Sequence, residues 1–218
     1  MKHKPSFIFD HLPLQVGRET EPLPVDSHRL LSLNVALAKP RDIGGRAVLT
    51  AIGKRPVTAA VEVRPLGLVG DEQADLSVHG GLGKAVYAYP SEHYPFWQTV
   101  RAQANVATWN ETLAPGALGE NLTLAGLLED QVWIGDVLRF ANCELAVSEP
   151  RFPCFKLNAA LGFKHAVQLM TANGWCGFYL AVRVPGTLRA GEAFDLLPGP
   201  REVGIPELFR ARAVAQRR

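Results

Sequence analysis

The chain has 218 residues, 47% of them hydrophobic and 20% charged, enough apolar material for one substantial core, which excludes a disordered tail or a collagen-like repeat. Its 23 Lys and Arg against 21 Asp and Glu give a formal charge of +2, too balanced for the broad positive field of non-specific nucleic-acid binding. No apolar run approaches the roughly 20 residues that cross a bilayer, and no secretory signal opens the chain, so it reads as cytoplasmic and independent of membranes.

Residues 1–28 contain prolines and few periodic apolar positions and read as an extended arm. Segments 30–36, 47–52 and 60–64 are short, apolar and broken by Gly, Pro and Asn, the texture of strands joined by turns. Residues 71–84 are polar and glycine-rich and read as a long loop. Residues 85–89 predict a buried strand, after which Ser91 is the expected N-cap of a helix carrying Tyr94, Trp97 and Val100 on one face. Segments 121–125, 131–134, 137–140 and 144–147 alternate like half-buried strands. Residues 164–173 predict a helix stopped by Asn173-Gly174, and 177–184 and 193–197 return to strand. The stretch from Arg201, with five Arg against two Glu, reads as a solvated basic tail with a short helix near Pro206. Many short strands with two or three helices predict a mainly β fold closed into a barrel, because closure removes exposed edges.

Three cysteines, Cys143, Cys154 and Cys176, are too few and wrongly spaced for a disulfide framework or a Cys-x-x-Cys site, and the six histidines form no chelating pair. A metal bound here would take one protein thiolate and draw its other ligands from a cofactor. Cys154 is the natural choice, because Arg151 and Lys156 flank it in Ser-Glu-Pro-Arg-Phe-Pro-Cys-Phe-Lys and cations favour the thiolate; a buried inert thiol is the competing reading. In the loop, Gly80 and Gly81 allow backbone amides to approach an anion and Lys84 adds a charge, without P-loop spacing. His79 reads as a phosphate donor, metal ligand or general acid, or else as a plain turn residue. Glu120 and Asn121 offer a carboxylate and an amide at a strand start, the carboxylate serving a nearby amide or Arg151, and Arg55 follows a strand where its fork suits a phosphate.

The segments Gly67-Leu-Val-Gly-Asp-Glu-Gln-Ala-Asp75, His79-Gly-Gly81, Lys84-Ala-Val-Tyr-Ala-Tyr-Pro-Ser-Glu-His-Tyr94, Gly119-Glu-Asn121, Ile134-Gly-Asp136 and Ser148-Glu-Pro-Arg-Phe-Pro-Cys-Phe-Lys-Leu157 occur in this order. Together they closely resemble the MOSC family, named for the C-terminal domain of molybdenum-cofactor sulfurase, in its stand-alone bacterial YiiM-like branch. The resemblance runs from about Leu30 to Pro198. It implies a closed MOSC-type β-barrel, like that of pyruvate kinase, over 29–198, between the arm and a basic tail over 199–218 that replaces a truncated or absent three-helix domain. It implies a molybdenum–pyranopterin cofactor with Cys154 on the metal and a cofactor-binding set of Arg55, Gly80, Gly81, Lys84, Glu120, Asn121, Arg151 and Lys156. The implied activity is reduction of N-hydroxylated compounds, such as hydroxylamino bases, to amines, with His79 and Asp71 handling protons beside Cys154. No dinucleotide fingerprint or iron–sulfur cysteine cluster is present, so electrons are expected from a partner reductase. The alternative is a sulfur-carrier or cofactor-delivery protein that uses a Cys154 persulfide. Cys154, His79, Arg151 and Glu120 are expected to converge on one concave site, with Cys143 away from it.

Overall fold

Residues 28–74 and 80–215 are described by the computed structural model, and the arm expected over 1–28 lies almost wholly outside them. In chain order, β1 (His28–Val35) is followed by a hairpin of β2 (Lys39–Asp42) and β3 (Ala47–Thr50), then β4 (Arg55–Val57), β5 (Val61–Arg64) and β6 (Gly67–Leu68). β7 (Val86–Pro90) leads into α1 (Tyr94–Gln103), and β8 (Leu122–Ala125), β9 (Val137–Arg139) and β10 (Glu144–Pro150) precede α2 (Phe155–Leu161) and α3 (Ala166–Asn173). β11 (Phe178–Val184), β12 (Gly186–Leu188), β13 (Ala193–Leu197) and α4 (Ile205–Ala215) complete the described chain.

The strands β13, β9, β10, β11, β7, β8 and β1 pair in that order, and β13 returns to β1 through His28–Phe194 and Arg29–Ala193. Seven strands thus form a closed barrel, as the density of short strands predicts. Register shifts within β1 and β10 add the local bend that closure needs. β7 and β8 are the parallel neighbours, because α1 makes the long crossover that a parallel pair requires. β4 extends along β1 beyond the end of β13, while β12, β5 and β6 form a small separate sheet.

Apolar side chains that alternate along these strands fill the interior, among them Leu30, Val86, Leu122, Leu138, Leu145 and Phe178. Trp97 of α1 is fully buried over it and donates from its indole N–H to the Tyr89 hydroxyl at 2.6 Å. The expected cap at Ser91 is not made. Residues Ser91–His93 form a 3₁₀ turn, the Ser91 hydroxyl reaches Glu92, and α1 starts at Tyr94 with Pro95 in its first turn, where a missing N–H costs nothing. The strand expected over 131–134 is instead a 3₁₀ turn over Glu129–Gln131 followed by a single Trp133–Gly204 bridge.

The C-terminal stretch is not a solvated tail. One face of α4 docks on the barrel: Ile205 and Phe209 are buried, Phe209 stacks on Phe152 at 4.9 Å, and Arg212 pairs with Glu149 at 2.6 Å. Arg210 is exposed while the Arg212 guanidinium lies over the Phe152 ring, so a basic composition and a docked helix coexist. Phe209→Ala is expected to cost about 3 kcal/mol, seen as a lower denaturant midpoint at unchanged slope. An unchanged midpoint would mean that this docking contributes nothing. Among the described residues no helix is long and apolar enough to cross a membrane.

Candidate functional site

A solvent-open cleft of about 100 Å³ lies between the β3–β4 connection, residues 71–74, the start of β7 and the chain after β10. Two glycines set one wall. Gly116 (φ +84) and Gly119 (φ +88) bring their loop so close that a Cβ on either would lie 2.8 Å from the Lys54 carbonyl or the Ile52 side chain. Only glycine allows both that backbone conformation and that approach. The contact presents Lys54, in the turn before β4, along the cleft wall.

The Lys54 side chain is only 8% exposed and pairs with Asp71. Asp71 also accepts from the Ala36 amide at 2.8 Å and from the Asn121 carboxamide at 2.9 Å. Asn121 in turn accepts from the Tyr87 amide at 3.1 Å, so β1, β7, the Gly-Glu-Asn segment and residue 71 are tied together at the cleft. Burial lowers the Lys54 pKa, against the opposing pull of Asp71 and Glu120.

Arg151 follows β10 and is buried, with its guanidinium 5.0 Å from the Tyr87 ring centre and a nitrogen 3.6 Å from Met170 sulfur. Burial works against its charge, but Tyr87, Tyr179 and Cys154 around it raise its pKa. Cys154 comes three residues later, partly exposed at the N-cap of α2, and lines the same cleft. Lys84, near Glu149 at 3.8 Å, and Lys156, donating to the Leu49 carbonyl at 3.3 Å, complete the cations. Four cationic side chains and two acidic ones, Asp71 and Glu72, therefore line the described cleft.

Cys154, Asp71, Lys84, Asn121, Arg151 and Lys156 thus meet as the sequence predicts. Other predicted residues do not join them. Arg55 is exposed on β4 opposite Val35, and Lys54, one residue earlier, lines the cleft instead. Gly80 and Gly81 lie outside the lining, and the Gly81 amide is spent on the Gln73 side chain at 2.9 Å. His79 falls outside the described residues.

Glu120 departs furthest from expectation. It is fully buried away from the cleft and does not pair with Arg151. It accepts from the Gly116 amide at 2.7 Å, the Leu118 amide at 3.1 Å, the Thr123 hydroxyl at 3.1 Å and the Tyr94 hydroxyl. Its role is to hold the loop that positions Asn121. Cys143 lies outside the cleft with its thiol pushed up to about 12 by burial, and burial likewise raises the Cys176 thiol.

Lys54, Gln73, Tyr87 and Tyr179 are site residues that the sequence alone does not single out. The two tyrosines look like ordinary strand aromatics, and Lys54 stands next to the more conspicuous Arg55.

The MOSC domain model matches residues 75–195. The uncharacterized protein YflK of Bacillus subtilis is 40% identical over 187 residues, covering 86% of this chain and 80% of YflK. A Gibberella moniliformis protein named reductase is 32% identical over 191 residues; the match takes in 85% of this chain but only 33% of that longer protein. The crystal structure of YiiM from Geobacillus stearothermophilus superposes with a TM-score of 0.67 at 30% identity, covering 88% of this chain and 86% of that one. With the closed barrel and its cysteine-bearing cleft, these likenesses show that the chain belongs to the MOSC-domain family, in its YiiM-like branch.

Proposed function

We propose that the cleft binds a molybdenum–pterin cofactor through Cys154 and that the protein, in the cytoplasm, reduces N-hydroxylated compounds to amines with electrons from a partner reductase. The observation that carries this reading is the donor set: one partly exposed thiol in a cleft lined by Lys54, Lys84, Arg151 and Lys156. Among the described residues no three His, Cys, Asp or Glu side chains cluster to hold a metal ion by themselves. A single soft thiolate beside several cations suits a metal that arrives already ligated by an anionic cofactor.

When bound, that cofactor supplies two-electron reduction. The chain's own residues do the rest. Arg151 and the cleft lysines favour the Cys154 thiolate and bind anionic groups, while Tyr87 and Tyr179 give the cleft flat, partly apolar walls. The opening to solvent admits substrate and an electron donor. The likeness to part of a longer protein named reductase supports redox chemistry.

Protein purified from a host that makes the cofactor is expected to convert 6-hydroxylaminopurine to adenine with reduced methyl viologen. Two viologens should be oxidised per amine formed, and NADPH alone should give no turnover. No amine from molybdenum-loaded protein would overturn the activity, and turnover with NADPH alone would overturn the need for a partner.

A further inference from the structure

We infer that Lys54 is the proton donor of this cleft, held there by Asp71, which the Ala36 amide and the Asn121 carboxamide fix from behind. The inference rests on the reductive reading above and adds a residue to it.

Reduction of a hydroxylamine breaks the N–O bond: R–NH–OH, two electrons and two protons give R–NH₂ and water. The electrons come from a one-electron donor such as reduced viologen, acting twice. One proton goes to the departing oxygen, and the second comes from solvent. The group supplying the first must carry a transferable proton and face the cleft.

Asp71 does not meet that need. Its carboxyl oxygens already accept three hydrogen bonds, from Lys54, Ala36 and Asn121, and are occupied as acceptors. The Lys54 ammonium has three N–H groups, and among the described residues Asp71 is its one hydrogen-bond partner. Lys84, whose side chain is 26% exposed, is more open to water, and Lys156 donates to a backbone carbonyl. Arg151 does not release a proton under working conditions. Lys54 is therefore the shielded cation of the cleft wall with a transferable proton and donors to spare.

Its titration is set by groups on several elements. Asp71 and Glu120 favour the charged form, burial opposes it, and Glu72, Lys84, Arg151, Cys154 and Lys156 line the same cleft. The net depression brings a lysine closer to the pH at which a general acid is most effective.

The test compares loaded wild type with Lys54→Met, Lys54→Arg and the double variant Lys54→Met/Asp71→Asn, which removes both charges where a lone buried carboxylate would unfold the chain. Lys54→Met is expected to lower kcat per bound molybdenum by about 10²–10³-fold with KM within about threefold. Wild-type kcat should fall as pH rises through the Lys54 titration, and both Met-bearing variants should lose that limb. Lys54→Arg keeps the charge but not the transferable proton, so kcat should stay at least about tenfold down. A readout independent of loading is the ¹³C NMR titration of the Lys54 side chain in cofactor-free protein. Lys54 should titrate below the exposed lysines and lower still in Asp71→Asn.

Full kcat in Lys54→Met or Lys54→Arg, from loaded and active preparations, overturns the assignment and leaves the reductase reading standing. So does a Lys54 titration that coincides with the exposed lysines. Wild type with neither molybdenum nor turnover overturns both.

Discussion

Glu120→Ala is expected to cost about 4 kcal/mol or more, a large part of the 5–15 kcal/mol that holds a typical domain together. The reason is accounting of donors. The carboxylate receives the Gly116 and Leu118 amides and the Tyr94 and Thr123 hydroxyls in a fully buried position, and truncation leaves the two amides with no acceptor and the two hydroxyls with only a long contact with each other at 3.5 Å. A melting temperature lower by about 10 °C is the corresponding thermal readout. Glu120→Gln is milder, about 2 kcal/mol, because the amide keeps one acceptor oxygen but turns an NH₂ group toward a donor.

The pH dependence of that second variant has a definite sign. Burial raises the Glu120 pKa above its ordinary value, outweighing the donors that pull it down. A raised folded pKa gives stability that is fully present below the unfolded carboxyl value, about 4.3, and is lost as pH rises through the folded value. Wild type therefore loses this contribution toward neutral pH, whereas glutamine has no proton to lose. The gap between wild type and Glu120→Gln should be widest near pH 4 and narrower at pH 8, by urea denaturation at both. A gap that widens with pH would mean that the carboxylate is the form the fold prefers.

Glu120 also shows what was legible in the sequence. The Gly-Glu-Asn motif is visible, but which member faces the cleft is not. Successive residues of extended chain point to opposite sides, so Asn121 reaches Asp71 while Glu120 turns into the protein. The same half-turn separates Lys54 from Arg55. Adjacent cations look equivalent in a sequence, yet one lines the cleft and the other faces solvent across from Val35 on β1. Phase on an extended chain is decided by pairing partners far away in sequence, which is why local reading selected the wrong neighbour.

Elements with strong local signals were readable. The alternation over β8 to β10 and the Asn173-Gly174 stop of α3, with Gly174 at φ 72, follow from pattern and backbone chemistry. α2 was hidden because Phe155–Leu161 begins inside the Pro-Cys-Phe-Lys segment, whose residue types drew attention to chemistry rather than periodicity. The docking of α4 was hidden by its arginines, since average charge outweighed the two apolar residues, Ile205 and Phe209, that reach the barrel. Cys154 was legible because its cationic neighbours are adjacent in sequence. Lys54 and Lys84, which complete that setting, arrive only through the fold.

Whether Cys154 holds a metal cofactor is read from molybdenum and pterin content per chain. Wild type and Cys154→Ser are to be purified from one host able to make the cofactor, with circular dichroism confirming that both are folded. Cys154 is partly exposed at the start of a helix, so serine should leave stability within about 0.5 kcal/mol while removing the soft ligand. About one molybdenum and one pterin are expected per wild-type chain, with at least a tenfold loss of molybdenum in the variant. Little molybdenum in both proteins, from a host that loads a known molybdoenzyme, would contradict that reading and favour a persulfide on Cys154 instead.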